Sequence, residues 1–290
     1  MKILVTGAKG QLGNDVMNEL KQRGHISIGV DIEEMDITNS ESVTRVITEA
    51  NPDGVIHCAA WTAVDLAEEI DNIEKVRKVN ATGTEHIAKV CKQLGCKLMY
   101  ISTDYVFDGQ GTNPWEPDDE RHPLNVYGHT KYEGELAVEA NTEKYFIVRI
   151  AWVFGLMGKN FIKTMVNLGK TKDTISVVND QIGTPTYTYD LARLLVDMIE
   201  SEQYGRYHAT NEGEYISWYD FTLEIMKQAA EYNPVYSQVN IVPVGSEAYA
   251  AKAKRPSNSR MNRNKLVEKG FQPLPTWQDA LHRYLREIEV

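Results

Sequence analysis

A short apolar strand, MKILVT, runs directly into TGAKGQLG, where Gly7, Gly10 and Gly13 recur at three-residue spacing. The stretch from Gln11 to Arg23 then reads as a helix with Val16, Leu20 and Met17 on its buried face. Glycines between a strand and a helix permit a tight turn and bring a pyrophosphate close to the N–H groups of the helix N-terminus. They also suit an ordinary strand–turn–helix. The strand before, the helix after and a start at residue 7 favour the nucleotide reading.

The segments that follow keep alternating. ISIGVDI is a second strand ending at Asp31, GVIHC a third, KLMYIST a fourth and YFIVRIAWVFG a fifth. A helical stretch from about Ile70 to Gln93 precedes the fourth strand, and a further helix precedes the fifth. This alternation implies an α/β fold, a Rossmann-type doubly wound parallel sheet covered by helices on both faces. Ligands of such sheets collect at the C-terminal strand ends, here Gly7, Asp31, Ala60, Thr103 and Trp152. Beyond Gly155 the pattern is less regular. The expected division is an NAD(P)-binding domain over 1–154 and, over 155–290, mainly a smaller α/β substrate-binding lobe with segments that can return to the first domain.

Within VYGHTKYEGE, Tyr127 and Lys131 stand four residues apart, which places them on one helical face. An ammonium beside a phenol stabilises the phenolate and lowers its pKa, so Tyr127 suits proton donation to a carbonyl oxygen under reduction. Tyr-x-x-x-Lys alone is a weak signal; behind a nucleotide-binding turn it gains weight. Asp31 at the end of the second strand suits a ribose diol and repels an added 2′-phosphate, favouring NADH over NADPH; it can equally just end the strand.

A net charge of −10 argues against general nucleic-acid or membrane-surface binding. Cys58, Cys91 and Cys96 lack metal-ligand spacing and fit inert thiols in a reducing cytoplasm. No apolar run reaches membrane-spanning length, and no basic stretch with a cleavable apolar segment opens the chain. A soluble cytoplasmic protein is expected.

TGAKGQLG, CAAWTAVDLAE, NATGT, STDYVFDG, PLNVYGHTK, RIAWVFG, NDQIGTPT and RPSNSRMN occur in that order over nearly the whole chain. In these motifs the sequence resembles the extended short-chain dehydrogenase/reductases, and among them the dTDP-4-dehydrorhamnose reductase family. The resemblance implies reduction of the 4-keto group of dTDP-4-dehydro-L-rhamnose to dTDP-L-rhamnose, the last step in making this activated sugar for bacterial surface polysaccharides.

It also implies roles. Tyr127 would protonate the substrate oxygen, Lys131 would hold the nicotinamide ribose and tune Tyr127, and Thr103 would hydrogen-bond the reacting oxygen. Gly10, Gln11 and Leu12 would line the diphosphate, Asp36 and Ile37 would flank the adenine, and Ala60, Trp61 and Thr62 would lie beside the cofactor. Trp61 stands where some members carry histidine. Asn80 is either structural or the anchor of a proton-relay water at the cofactor. Thr103 and Asp104 would contact substrate, as would Trp152, with Gln181, Thr184 and Pro185 forming the neighbouring loop. As residues alone, Thr103 can be a strand-end cap and Trp152 a core aromatic.

The window Lys252–Lys265 holds Lys252, Lys254, Arg255, Arg260, Arg263 and Lys265 without an acid. It reads either as a solvated basic turn or as a diphosphate-binding segment, for which Arg255 and Arg260 offer two-pronged contacts. Some relatives pair through magnesium at positions that here are Asp15, Asp190 and Glu287; these can equally be helix-end or solvated acids, and the hydride chemistry does not require the metal. The assembly expected is a monomer or a homodimer.

Three other functions share parts of this pattern. A nucleotide-sugar epimerase shares the turn, Tyr and Lys. A dehydratase would add a carboxyl pair, and no Glu follows Asp104 in STDYV. A noncatalytic regulatory subunit of the methionine adenosyltransferase type shares the fold; intact Tyr127, Lys131 and Thr103 argue for chemistry.

Overall fold

A computed structural model describes residues 1–288 of the chain, so the last two residues of the expected C-terminal lobe lie outside the described ones. Five strands of the central sheet fall in the first 150 residues: β1 (Lys2–Thr6), β2 (Ile26–Val30), β3 (Gly54–His57), β4 (Lys97–Thr103) and β5 (Tyr145–Ile150). A sixth, Gly205–His208, pairs with β5. All neighbours are parallel, and the order runs from β2 through β1, β3, β4 and β5 to Gly205–His208. The order reverses between β1 and β3, which leaves a crevice at their C-terminal ends.

Both sheet faces are buried, so the strands read as near-continuous apolar runs. On one face, Val16 and Leu20 of helix α1 (Gln11–Gln22) pack with Leu191, Leu195 and Ile199 of the Thr188–Glu200 helix over Val5, Ile56 and Val148. On the other, Val43 and Ile47 join Ile87 and Cys91 over Leu4, Val55 and Leu98. A helix and a strand from residues 188–208 thus complete the central sheet and one of its covering layers.

A third cluster forms the lobe. Phe154, Ile162, Phe221, Ile225, Trp277 and Tyr284 pack together from the helices Phe161–Gly169, Trp218–Ala229 and Trp277–Glu287 and the short strand Val153–Phe154. Thr174–Val178 pairs with Asn240–Val244, and Ile182–Gly183 with Ile216–Ser217.

Two elements depart from the sequence reading. The fifth strand does not continue through YFIVRIAWVFG: it stops at Ile150, because Trp152 adopts φ +51, and resumes as a separate two-residue strand at Val153. The helix expected from Ile70 to Gln93 is interrupted by a π turn over Lys78–Thr82, which contains Asn80. Among the described residues no helix is long and apolar enough to cross a membrane.

Candidate active site

A cleft of about 680 Å³ opens at the reversal of strand order. Its floor is the glycine turn. Gly7 takes φ +66 at the end of β1, and its N–H donates to the Val30 carbonyl at 2.9 Å. A Cβ on Gly7 would lie 2.8 Å from the Ala59 nitrogen, and one on Gly13 would lie 2.1 Å from the Gly7 carbonyl oxygen. Only glycine fits either place. Gly10 caps α1 without a side chain, and no acid lies in the first helical turn. The free N–H groups there therefore face the cleft without a competing negative charge. This cradle fits the diphosphate of a dinucleotide.

Gly7, Gly10, Gln11, Leu12, Gly13, Asp31, Asp36, Ile37, Ala60 and Thr62 all line the cleft. The Asp31 carboxylate accepts the Lys9 N–H at 2.9 Å, and Asp36 accepts both the N–H and the hydroxyl of Thr38. Trp61 and Asn80 do not line it. Asn80 is buried and clamps the loop after β3: it accepts the Trp61 N–H at 2.8 Å and donates to the Trp61 carbonyl and to the Thr130 hydroxyl, both at 3.2 Å. Its side chain joins that loop to the helix carrying Tyr127 and Lys131.

That helix, Val126–Asn141, starts at an Asn125 cap whose side chain accepts the Gly128 N–H at 2.8 Å. A Cβ at Gly128 would lie 2.3 Å from the Tyr105 carbonyl oxygen, so glycine lets the helix approach the end of β4. Tyr127 and Lys131 both reach the cleft beside Thr103 and Asp104. Thr103 caps the short turn Asp104–Val106, accepting the Tyr105 N–H at 3.2 Å and donating to Asp104 at 2.9 Å. The other oxygen of buried Asp104 has no partner, and burial pushes its carboxyl up to about 6.

Lys131 donates to the Ile101 carbonyl at 2.7 Å and lies 4.0 Å above the Tyr100 ring. Burial pushes its ammonium down to about 7, with the Glu135 charge opposing. Tyr127 shifts in the direction opposite to the one expected from its sequence neighbour. Burial raises the phenol well above its ordinary value, the Thr103 hydroxyl pulls it down, and the Asp104 charge adds to the rise. Desolvation dominates here and keeps the Tyr127 phenol in its protonated form.

Trp152 and Trp218 complete the wall on the lobe side. Trp218, which sequence reasoning missed, opens a helix through a Ser217–Asp220 capping box; the S-W-Y-D pattern was a readable signal for that start. Gln181, Arg255 and Arg260 are not part of the cleft wall. Four of the six cations in the basic window are paired with acids from distant segments: Lys252 with Glu69 at 2.7 Å, Arg255 with Asp65 at 2.6 Å, Arg263 with Glu212 at 3.2 Å and Lys265 with Asp118 at 3.3 Å. Arg260 donates to Asn258 at 3.0 Å.

The acids weighed for magnesium take separate partners. Thr188 donates to Asp15, Tyr187 donates to Glu287 at 2.6 Å, and Asp190 holds Arg283 at 2.7 Å. Among the described residues no group of three or more His, Cys, Asp or Glu is placed to hold a metal ion.

The family model described as the RmlD substrate binding domain matches residues 1–290. The chain belongs to the dTDP-4-dehydrorhamnose reductase family. It is 41% identical to a dTDP-4-dehydrorhamnose reductase of Clostridium acetobutylicum, with a TM-score of 0.94 and all of both chains covered. A Bacillus anthracis dTDP-4-dehydrorhamnose reductase solved in complex with NADP is 40% identical, with a TM-score of 0.91 over 99% of this chain and 100% of that one. The Bacillus subtilis spore coat polysaccharide biosynthesis protein SpsK is 38% identical over 99% of this chain and 97% of its own length.

Proposed function

We propose that this protein reduces the 4-keto group of dTDP-4-dehydro-L-rhamnose with NAD(P)H, giving dTDP-L-rhamnose for polysaccharide synthesis. The observation that carries the proposal is the meeting of Tyr127, Lys131, Thr103 and Asp104 in the same cleft as the glycine turn. Bound along that wall, a reduced nicotinamide supplies the hydride.

The chain supplies positioning and the proton. Tyr127, a phenol that burial holds further toward its protonated form, donates to the oxygen that gains charge during reduction. Lys131 holds ribose hydroxyls and offsets the phenolate as it forms. Thr103 hydrogen-bonds the reacting oxygen, and Asp104 beside it contacts the sugar. Trp152 covers the sugar. Gln181 shapes the loop beside it, and Arg255 and Arg260 close on the dTDP diphosphate, Arg255 by exchanging its Asp65 partner for phosphate.

Asp31 favours NADH. Lys9, the cation beside it, is paired with Glu33 at 2.6 Å and with Glu34 at 3.7 Å, so an added 2′-phosphate meets net negative charge. The test is loss of NADH absorbance on adding dTDP-4-dehydro-L-rhamnose. Steady consumption with dTDP-L-rhamnose as product supports the proposal; no consumption, with NADH bound, refutes it.

A further inference from the structure

Trp152 is one of two non-glycine residues with positive φ among the described residues, at +51. A bulky side chain in that conformation is strained and persists only where its surroundings fix it. Here three contacts do so. The Trp152 carbonyl accepts the Thr186 N–H at 3.1 Å. Gly183 lies against the indole so closely that a Cβ there would stand 2.9 Å from the ring. The ring itself stacks on Trp218, with centroids 3.7 Å apart and planes 14° from parallel.

Trp218 is in turn held rigidly. It is the first residue of its helix, whose start is fixed by reciprocal hydrogen bonds between Ser217 and Asp220, both at 3.0 Å. Phe161 packs on it at 4.4 Å. Yet both indoles remain part-exposed and line the cleft, where a purely structural pair would be buried in the lobe core.

From this geometry we infer that Trp218 is a positioning residue for the sugar: it holds the strained Trp152 indole as an apolar wall against the C–H face and 6-methyl group of a 6-deoxyhexose. The inference rests on the proposed reductase reading. An aromatic wall of this kind favours sugars that present an apolar face, and a fixed ring loses less freedom on binding than a mobile one. Because Trp218 acts through Trp152, its removal costs sugar affinity only while Trp152 is present.

The test compares Trp218→Leu, Trp218→Phe, Trp152→Leu and the double variant. Measured are KM for dTDP-4-dehydro-L-rhamnose, the dissociation constant of NADH, and the near-ultraviolet circular dichroism of the indole pair. Trp218→Leu should lose the coupled indole signal and raise KM roughly three- to tenfold, the range of a single aromatic pair. NADH affinity should stay unchanged, and Trp218→Phe should recover most of the KM. In the Trp152→Leu background, adding Trp218→Leu should change KM by less than about twofold, because coupled residues are not additive. Full multiplication of the two effects, or an unchanged KM in Trp218→Leu, overturns the inference while leaving the reductase reading intact. A wild-type protein inert towards this sugar overturns that reading instead.

Discussion

Glu135, one helical turn beyond Lys131, accepts two hydrogen bonds from the guanidinium of Arg149 on β5, each 2.8 Å long, with both side chains fully buried. Ser102 adds a third at 2.6 Å and Arg121 a fourth at 2.8 Å. Burial pushes the Glu135 carboxyl up, but Arg149 and these donors more than offset it and hold the group down at about 2. A carboxylate with a depressed folded value stabilises the fold above its unfolded value, and that contribution is lost as pH falls from about 4.5 through about 2. Glu135→Gln leaves a buried guanidinium without its counter-charge and should cost about 3–5 kcal/mol. Urea unfolding measures it. A loss below about 1 kcal/mol would mean that water or Glu139 takes over the pairing.

Lys131 should make activity pH-dependent near neutrality. Burial holds its ammonium at about 7, so the charged form is lost as pH rises through that value in the free protein. The profile of kcat/KM should therefore fall on its alkaline side from near pH 7, about tenfold per unit once past it. The limb in kcat should lie higher, because bound anionic ligands favour the ammonium. A kcat/KM profile flat between about pH 7 and about 9 would contradict the assignment.

Local chemistry made the glycine turn, the alternation of elements and the Tyr127–Lys131 spacing readable in the sequence. Each is decided within one strand, turn or helix. What the sequence concealed depends on distant partners. RIAWVFG looks like unbroken strand because nothing local marks Trp152 for a left-handed backbone; Thr186, Gly183 and Trp218 impose it. The window Lys252–Lys265 looks like free positive charge because Glu69, Asp65, Asp118 and Glu212 lie far away in the chain. The shift of Tyr127 reverses for a similar reason: spacing shows the neighbouring ammonium but not the burial that dominates it.

Asp31 should set cofactor choice. Catalytic efficiency with NADH should exceed that with NADPH, and Asp31→Ser should narrow the gap by removing a charge that faces the 2′-position. The relative solved with NADP shows that members of the family bind the phosphorylated form, so a bias and not exclusion is expected. A clear NADPH preference in the wild-type protein would mean that Asp31 does not face the ribose.

Arg255→Ala and Arg260→Ala should weaken binding of dTDP-L-rhamnose and leave NADH affinity near wild type. A charged hydrogen bond is worth roughly 1.5–3 kcal/mol, which corresponds to an increase in dissociation constant on the order of tenfold or more. Calorimetric titration decides it. Unchanged binding in both variants would confine Arg255 to its pairing with Asp65 and Arg260 to Asn258.

The central claim is that the buried Tyr127 phenol supplies the proton for carbonyl reduction. Phenylalanine removes that oxygen and keeps the ring that packs edge-on against Tyr105 at 5.6 Å. The most direct measurement is single-turnover oxidation of bound NADH by dTDP-4-dehydro-L-rhamnose in Tyr127→Phe beside the wild type. The rate should fall by ~100- to 10,000-fold while NADH affinity holds, the range that a positioned general acid contributes. A rate within about threefold of wild type would contradict the account and move the proton donor elsewhere in the cleft.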